Sequence, residues 1–269
     1  MTATAVRPAA HAPEADGAVL FGRYAFPPNE RGYCGPDRAA ELLERVSMRA
    51  SGAALAEVAR GFEGAWPYLE LIGESLGRAP LDPVVVRTYW LGGPLLVRCG
   101  GRRFVSSLES RFRPRLTRLD FERLATAVTH GATPHHSFHV FGVYPWVGLL
   151  RGGHGDAPLE VLDRCRISWG RVVAIDVDDG ESVLVETPRL AWDGRRLMLA
   201  PPRLEPMRLR RGGLRLARAV EPGDVVSLHW DWICDRLSAA DLADLRRSTA
   251  TELAAVNACT YSAPATVLA

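Results

Sequence analysis

Two stretches decide the fold: Cys165-Arg-Ile-Ser-Trp-Gly170-Arg-Val-Val-Ala-Ile-Asp176, and Pro222-Gly-Asp-Val-Val-Ser-Leu-His229-Trp-Asp-Trp-Ile233. In the first, Val173, Ile175 and Val177 alternate with Val172, Ala174 and Asp176, the period of two that marks a strand. Asp178-Asp179-Gly180 is a hairpin turn signal, and Ser182–Glu186 returns as the next strand. Trp192-Asp193-Gly194-Arg195 makes a second turn before Arg196–Leu199, and Pro222-Gly223-Asp224 launches Val225–Trp230. Several short strands with tight turns, packed into about 70 residues, predict a small closed β-barrel. On the last of these strands His229 shares a face with Val225 and Ser227, opposite Val226, Leu228 and Trp230. A helix follows. Ser238 is placed as its N-cap with Asp241 three residues on, and Leu242, Leu245, Thr249 and Leu253 line one face.

Upstream, the period changes to that of helices. Residues 36–150 carry helical runs at Ala39–Met48, Ala53–Phe62, Ala65–Leu76, Val84–Leu91, Phe104–Phe112 and Leu119–Val128. Asp82-Pro83 reads as an N-cap with proline at the first helical position. The aromatics of these runs (Trp66, Tyr68, Tyr89, Trp90) are core residues by the same spacing. Residues 151–158, Gly-rich and polar, are the natural linker, with a short helix at Leu159–Asp163. The expected class is therefore α+β: a disordered tail (1–16), an all-α domain (17–155), and an OB-like β-barrel domain with a terminal helix (160–269).

Composition removes several chemistries. All 33 basic residues are Arg, so there is no lysine Schiff base, P-loop lysine or lysine general base. A formal charge of +2 lacks the strong positive field that nucleic-acid binding uses. The Arg203–Arg218 stretch, with Arg208, Arg210 and Arg211 at its centre, offers a docking surface for an acidic partner. Five scattered cysteines without a Cys-x-x-Cys pair argue against a disulfide framework and a zinc ribbon. The N-terminus lacks an apolar signal core, and the longest apolar stretch, Phe138–Leu150, is broken by His139, Pro145 and two glycines. The expectation is a cytoplasmic protein with no membrane partner.

A Cys followed five residues later by Gly-Arg-Val-Val, then Pro-Gly-Asp before a strand ending in His, an aromatic residue and a terminal helix, resembles the HypC/HupF family of nickel–iron hydrogenase maturation chaperones. The resemblance covers roughly residues 163–258. It implies a non-enzymatic assembly factor that carries iron bearing cyanide and carbonyl ligands. Its partners would be a maturation scaffold protein and the hydrogenase large-subunit precursor, with Cys165 and His229 as the metal- or partner-binding residues. The match has departures. Cys165 is internal, Trp169 stands where the family has proline, and Pro201–Ala219 lengthens the Cys-to-His interval. Thiolate and imidazole both suit iron, and the flanking Arg164 and Arg166 are expected to ease deprotonation of Cys165.

Pro134-His135-His136-Ser-Phe-His139 is the sharpest feature of the helical half. In a helix His135 and His139 lie one turn apart, a spacing that lets two imidazoles share a metal. No Glu stands between them as in zinc proteases. The bland alternative is a helix start with hydrogen-bonded histidines. Cys34, in Gly32-Tyr-Cys-Gly-Pro36, is a further candidate ligand. Besides the assembly factor, two functions are carried forward: a metal-dependent enzyme built on His135, His136 and His139, and a barrel that binds single-stranded nucleic acid.

Overall fold

The computed structural model describes residues 16–50, 52–112, 116–175 and 180–259. Nearly all of the expected tail, and Asp178-Asp179 of the first turn, lie outside the described residues. The architecture is α+β: N-terminal helices, a closed five-stranded barrel and a C-terminal helix.

The first helix, α1 (Gly17–Glu30), has no counterpart in the periodicity analysis. It is buried from Gly17 to Asn29. A helix enclosed on every side is apolar all round and shows no stripe. Asp16 caps it, its Oδ1 accepting from the backbone of Ala18 and Val19 at 2.8 and 3.2 Å. Close packing requires glycine at its start, since a Cβ on Gly17 would lie 1.9 Å from the Leu81 carbonyl oxygen. Near its end stand Pro27 and Pro28. Neither has an N–H, so the carbonyls four residues earlier, on Arg23 and Tyr24, lose their helical donors.

Around α1 pack α2 (Ala39–Ser47), α3 (Ala53–Arg60) and α5 (Pro83–Leu91), with α4 (Trp66–Leu76) packed on α5, and α6 (Gly101–Phe112) and α7 (Arg118–Thr129) follow. These match the helical runs within a few residues. Asp82 caps α5 as expected, accepting from Val84 at 2.8 Å. The histidine segment forms a single turn, α8 (His136–Phe138), that passes into a π-helical turn over His139–Val143. Next come α9 (Trp146–Arg151) and α10 (Ala157–Cys165). The glycine-rich residues between them form a tight turn, and the two helices pack on each other.

The strands are β1 (Ser168–Ile175), β2 (Ser182–Thr187), β3 (Leu190–Trp192), β4 (Leu197–Leu199), β5 (Arg203–Arg208), β6 (Arg210–Arg211), β7 (Leu214–Arg215), β8 (Val225–His229) and β9 (Trp232–Arg236). The barrel runs β1-β2-β5-β9-β8 and closes on β1, with the one parallel pairing between β5 and β9. Two features differ from the sequence reading. The strand at Arg196–Leu199 does not join the barrel: β4 pairs only with β3 in a separate hairpin, whose Leu190 and Leu197 pack with Leu162 of α10 and Val256. The barrel's third strand, β5, comes instead from the Arg-rich stretch, which also supplies the small β6–β7 hairpin turning through Gly212-Gly213.

Val172, Val183, Val185, Met207, Val226 and Leu228 fill the barrel, so it is a packed core and not a channel. The opposite face of β8 turns outward to α1, where Ser227 Oγ lies 2.9 Å from the Tyr24 hydroxyl. The largest core cluster runs from α1 and α5 through to Trp169, Trp232 and Leu237 of the barrel half. The final helix, α11 (Ala239–Ala258), begins with the Ser238–Asp241 capping box and packs on α5, α7 and α8. Among the described residues no helix is long and apolar enough to cross a membrane.

Candidate metal centre

His136 of α8, Cys165 at the end of α10 and His229 at the end of β8 are brought together, with one donor atom from each within 4.8 Å of the others. All three are buried, His229 completely. The His136 and His229 rings meet edge to face at 5.2 Å, and Trp90 lies against both, at 4.7 and 5.9 Å.

Interruptions of regular structure set each histidine. The Tyr24 carbonyl, released by Pro28, accepts from His229 Nδ1 at 2.6 Å. A carbonyl only accepts, so Nδ1 carries the ring proton and Nε2 holds the lone pair. That Nε2 is buried and makes no well-formed hydrogen bond, although the Cys165 backbone lies close enough to act on the ring. His136 Nε2 donates to the Cys165 carbonyl at 2.8 Å, an acceptor left over because α10 ends there. The Tyr89 hydroxyl lies 3.2 Å from the other nitrogen, His136 Nδ1. Burial pulls His136 down to about 4 and holds His229 well below the usual histidine range, so both rings are neutral at pH 7.

Cys165 corrects an expectation. Its flanking arginines do not activate it, because both are engaged elsewhere: Arg164 pairs with Glu160 at 2.9 Å and Arg166 with Asp163 at 2.9 Å. Burial instead pushes the Cys165 thiol far above its ordinary value. The Arg166 pairing is itself fully buried. Asp163 also accepts from the Leu190 backbone at 2.8 Å and pairs with Arg189, which reaches Glu205. This network fixes the end of α10 against the β2–β3 junction and so positions Cys165.

The histidines of the 135–139 segment are divided. His135 is the extended N-cap of α8, and its Nδ1 accepts from the Ser137 backbone at 3.1 Å. His139 opens the π-helical turn and sits among tyrosines, its ring 4.6 Å from that of Tyr144 and its Nδ1 3.4 Å from the Tyr68 hydroxyl. The one-turn pairing of His135 with His139 does not form, because the first residue lies outside the helix. Only His136 joins the donor group.

Cys34 lies in the loop after α1. The neighbouring Tyr33 packs tilted against Trp230 at 4.6 Å, and the Trp230 backbone donates to the Arg164 carbonyl at 2.7 Å. The three docking arginines belong to a different edge. Arg208 pairs with Asp231 at 3.5 Å and Arg211 with Glu30, clamping the end of α1 to the barrel, and Arg210 is half-buried in β6. Sequence reasoning named His136, Cys165 and His229 as site residues, placed Tyr89 and Trp90 in the core, and did not single out Tyr24. The Pro27-Pro28 pair was the available signal for Tyr24.

The family described as "Family of unknown function (DUF6390)" matches residues 13–263, spanning the helical half and the barrel together. The chain belongs to the DUF6390 family. That finding overturns the HypC/HupF assignment: the family found is a different one, and it takes in the helices that the resemblance left out. No curated protein and no solved structure matches this DUF6390 chain.

Proposed function

We propose that this DUF6390 protein binds one thiophilic transition-metal ion through His136, Cys165 and His229. The observation that carries the reading is the convergence of two neutral imidazoles and a thiol within 4.8 Å, with His229 Nε2 left without a well-formed hydrogen bond in the interior. Donors around a tetrahedral ion stand about 3.5 Å apart, so closing on a metal calls for a contraction of about 1 Å. One sulfur and two imidazoles suit iron(II), zinc or copper(I).

Binding has two proton requirements. Cys165 must lose its proton, and His136 must move its own from Nε2 to Nδ1, where the Tyr89 hydroxyl is placed to accept it. His229 needs no change. The group contains no carboxylate to serve as a base for metal-assisted hydrolysis. Metal holding and transfer therefore fits the donor set better than turnover. None of the five cysteines, among the described residues, is in a disulfide, which suits a reducing cytoplasm.

Titrating the reduced, metal-free chain with zinc or cobalt(II) tests the reading. One equivalent should bind, and Cys165→Ser and His229→Gln should each abolish it. No binding under reducing conditions, or binding indifferent to both substitutions, would refute it. Iron delivery to a hydrogenase precursor, with its scaffold protein, rests only on the discarded resemblance. Anaerobic purification would show it as co-purifying subunits and metal-bound cyanide and carbonyl bands.

A further inference from the structure

We propose that the groove between α4 and α6 binds a zwitterion, its carboxylate on the arginines of α6 and its ammonium on the glutamates of α4. This site is separate from the metal donors and does not depend on them.

The groove measures about 660 Å³, within the range of small-molecule sites. On α6, Arg103, Ser107 and Arg111 recur every four residues and form one wall. On α4, Pro67, Glu70, Leu71 and Glu74 share a helical face and form the other. Leu71 is buried and adds an apolar surface between the charges. The lining therefore carries two guanidinium groups on one side and two carboxylates on the other.

Among the described residues no salt bridge spans the groove, and internal contacts hold two of the four charges on their own sides. Arg111 lies over the buried Tyr68 ring at 4.2 Å, and its Nε donates to the Ser107 carbonyl at 3.1 Å. Glu70 Oε1 accepts from Trp66 Nε1 at 2.7 Å, and Arg60 lies over that indole at 5.5 Å. Arg111 is the stronger pointer to a ligand. It is half-buried, it pairs with no carboxylate among the described residues, and its Nη2 is enclosed without a well-formed hydrogen bond. A guanidinium partly withdrawn from water gains from a counter-charge, and a carboxylate matches its fork with two parallel bonds.

The two walls together select against simpler ions. An anion alone would meet Glu70 and Glu74, and a cation alone would meet Arg103 and Arg111. A molecule bearing both charges matches both walls, and the ammonium and carboxylate of a free amino acid or a short peptide supply them. Because no ion pair spans the groove, binding breaks none.

Calorimetric titration of the reduced full chain with L-leucine and with the dipeptide Gly-Leu tests the proposal, and the tighter of the two identifies the source. Saturable one-to-one binding is expected. Isocaproate, which is leucine without its ammonium, and isoamylamine, which is leucine without its carboxylate, should each bind about tenfold more weakly. Arg111→Gln should weaken the zwitterion by about tenfold. Because Arg111 also supports Tyr68, the exposed Glu74→Gln provides a second arm and should weaken it by about threefold with folding unchanged. The proposal would be overturned by a wild type that binds neither zwitterion. Isocaproate or isoamylamine binding as tightly as leucine, or affinity unchanged in both variants, would overturn it equally.

Discussion

Glu252 gives a stability prediction that can be worked through in numbers. It lies on α11, 2% exposed, and its Oε1 accepts from the Thr133 backbone at 2.9 Å and the Thr133 hydroxyl at 2.8 Å. Those bonds tie α11 to the chain just ahead of the histidine turn. Burial pushes the carboxyl up to about 8, against the opposing pull of the two Thr133 bonds. An acid whose folded pKa exceeds its unfolded value of about 4.5 binds more protons when folded. Its contribution is therefore fully present below pH 4.5 and is lost as pH rises toward 8. Within that window stability falls by about 1.4 kcal/mol per pH unit on this account.

Glu252→Gln keeps an acceptor for Thr133 and removes the ionisation. Relative to that neutral side chain, the wild type is less stable by between about 2 and 3 kcal/mol at pH 6.5 and between about 4 and 5 kcal/mol at pH 8. Urea unfolding of both proteins at pH 6.5, 7.2 and 8.0 measures the gap, and taking the difference cancels the histidines and thiols. The Gln variant should be the more stable throughout, with the gap widening by about 1.5 kcal/mol across the range. A gap constant to within about 0.5 kcal/mol, or a Gln variant less stable at pH 8, would show that Glu252 is ionised in the fold and the burial argument is wrong.

Removing Asp163 leaves Arg166, with 0% of its side chain exposed, without its carboxylate, so Asp163→Ala should destabilise by about 3–5 kcal/mol in chemical unfolding. A loss under about 1 kcal/mol would mean that Arg166 finds other partners. Pro28→Ala restores an N–H that competes for the Tyr24 carbonyl, so metal affinity should fall by about 10–100-fold while the fold persists. Nitrogen-15 spectra of the metal-free variant should show His229 losing its fixed Nδ1–H; an unchanged tautomer would refute the link.

The barrel and the closing helix were legible because their signals are local. Alternation along 171–175, the Pro222-Gly-Asp turn and Ser238-x-x-Asp241 each depend on a few neighbouring residues, and the inside-out assignment of β8 follows from its period alone. What stayed hidden depends on distant partners. α1 is enclosed by the rest of the chain and carries two prolines, so neither stripe nor propensity marks it. The diversion of β4 to a side hairpin is decided by α10 and α11, which bury its Leu197. Local charge misled at Cys165, since Glu160 and Asp163 one turn away take up the arginines. The three donors are spread over 94 positions of chain (136 to 229), a juxtaposition that spacing motifs do not encode.

The turn that carries His229 into place shows that the site makes its own demand on the backbone. His229 pairs with Trp232 across a two-residue turn, and Trp230 at its first central position has φ of 55°. Glycine is the residue that suits such a position in a tight hairpin, and a non-glycine residue there costs about 1–2 kcal/mol. The Tyr33 ring at 4.6 Å and the Arg31 guanidinium at 5.0 Å are worth about 1–2 kcal/mol together, enough to offset the strain. A turn needed only to reverse the chain would take glycine and need neither contact. Tryptophan here instead links the His229 strand to the Cys34 loop and, through its N–H, to the end of α10. The strained residue thus joins the strand of His229 to the end of α10 that carries Cys165, two of the segments whose side chains are proposed to share one ion, which is where a fold tolerates strain when position matters more than stability.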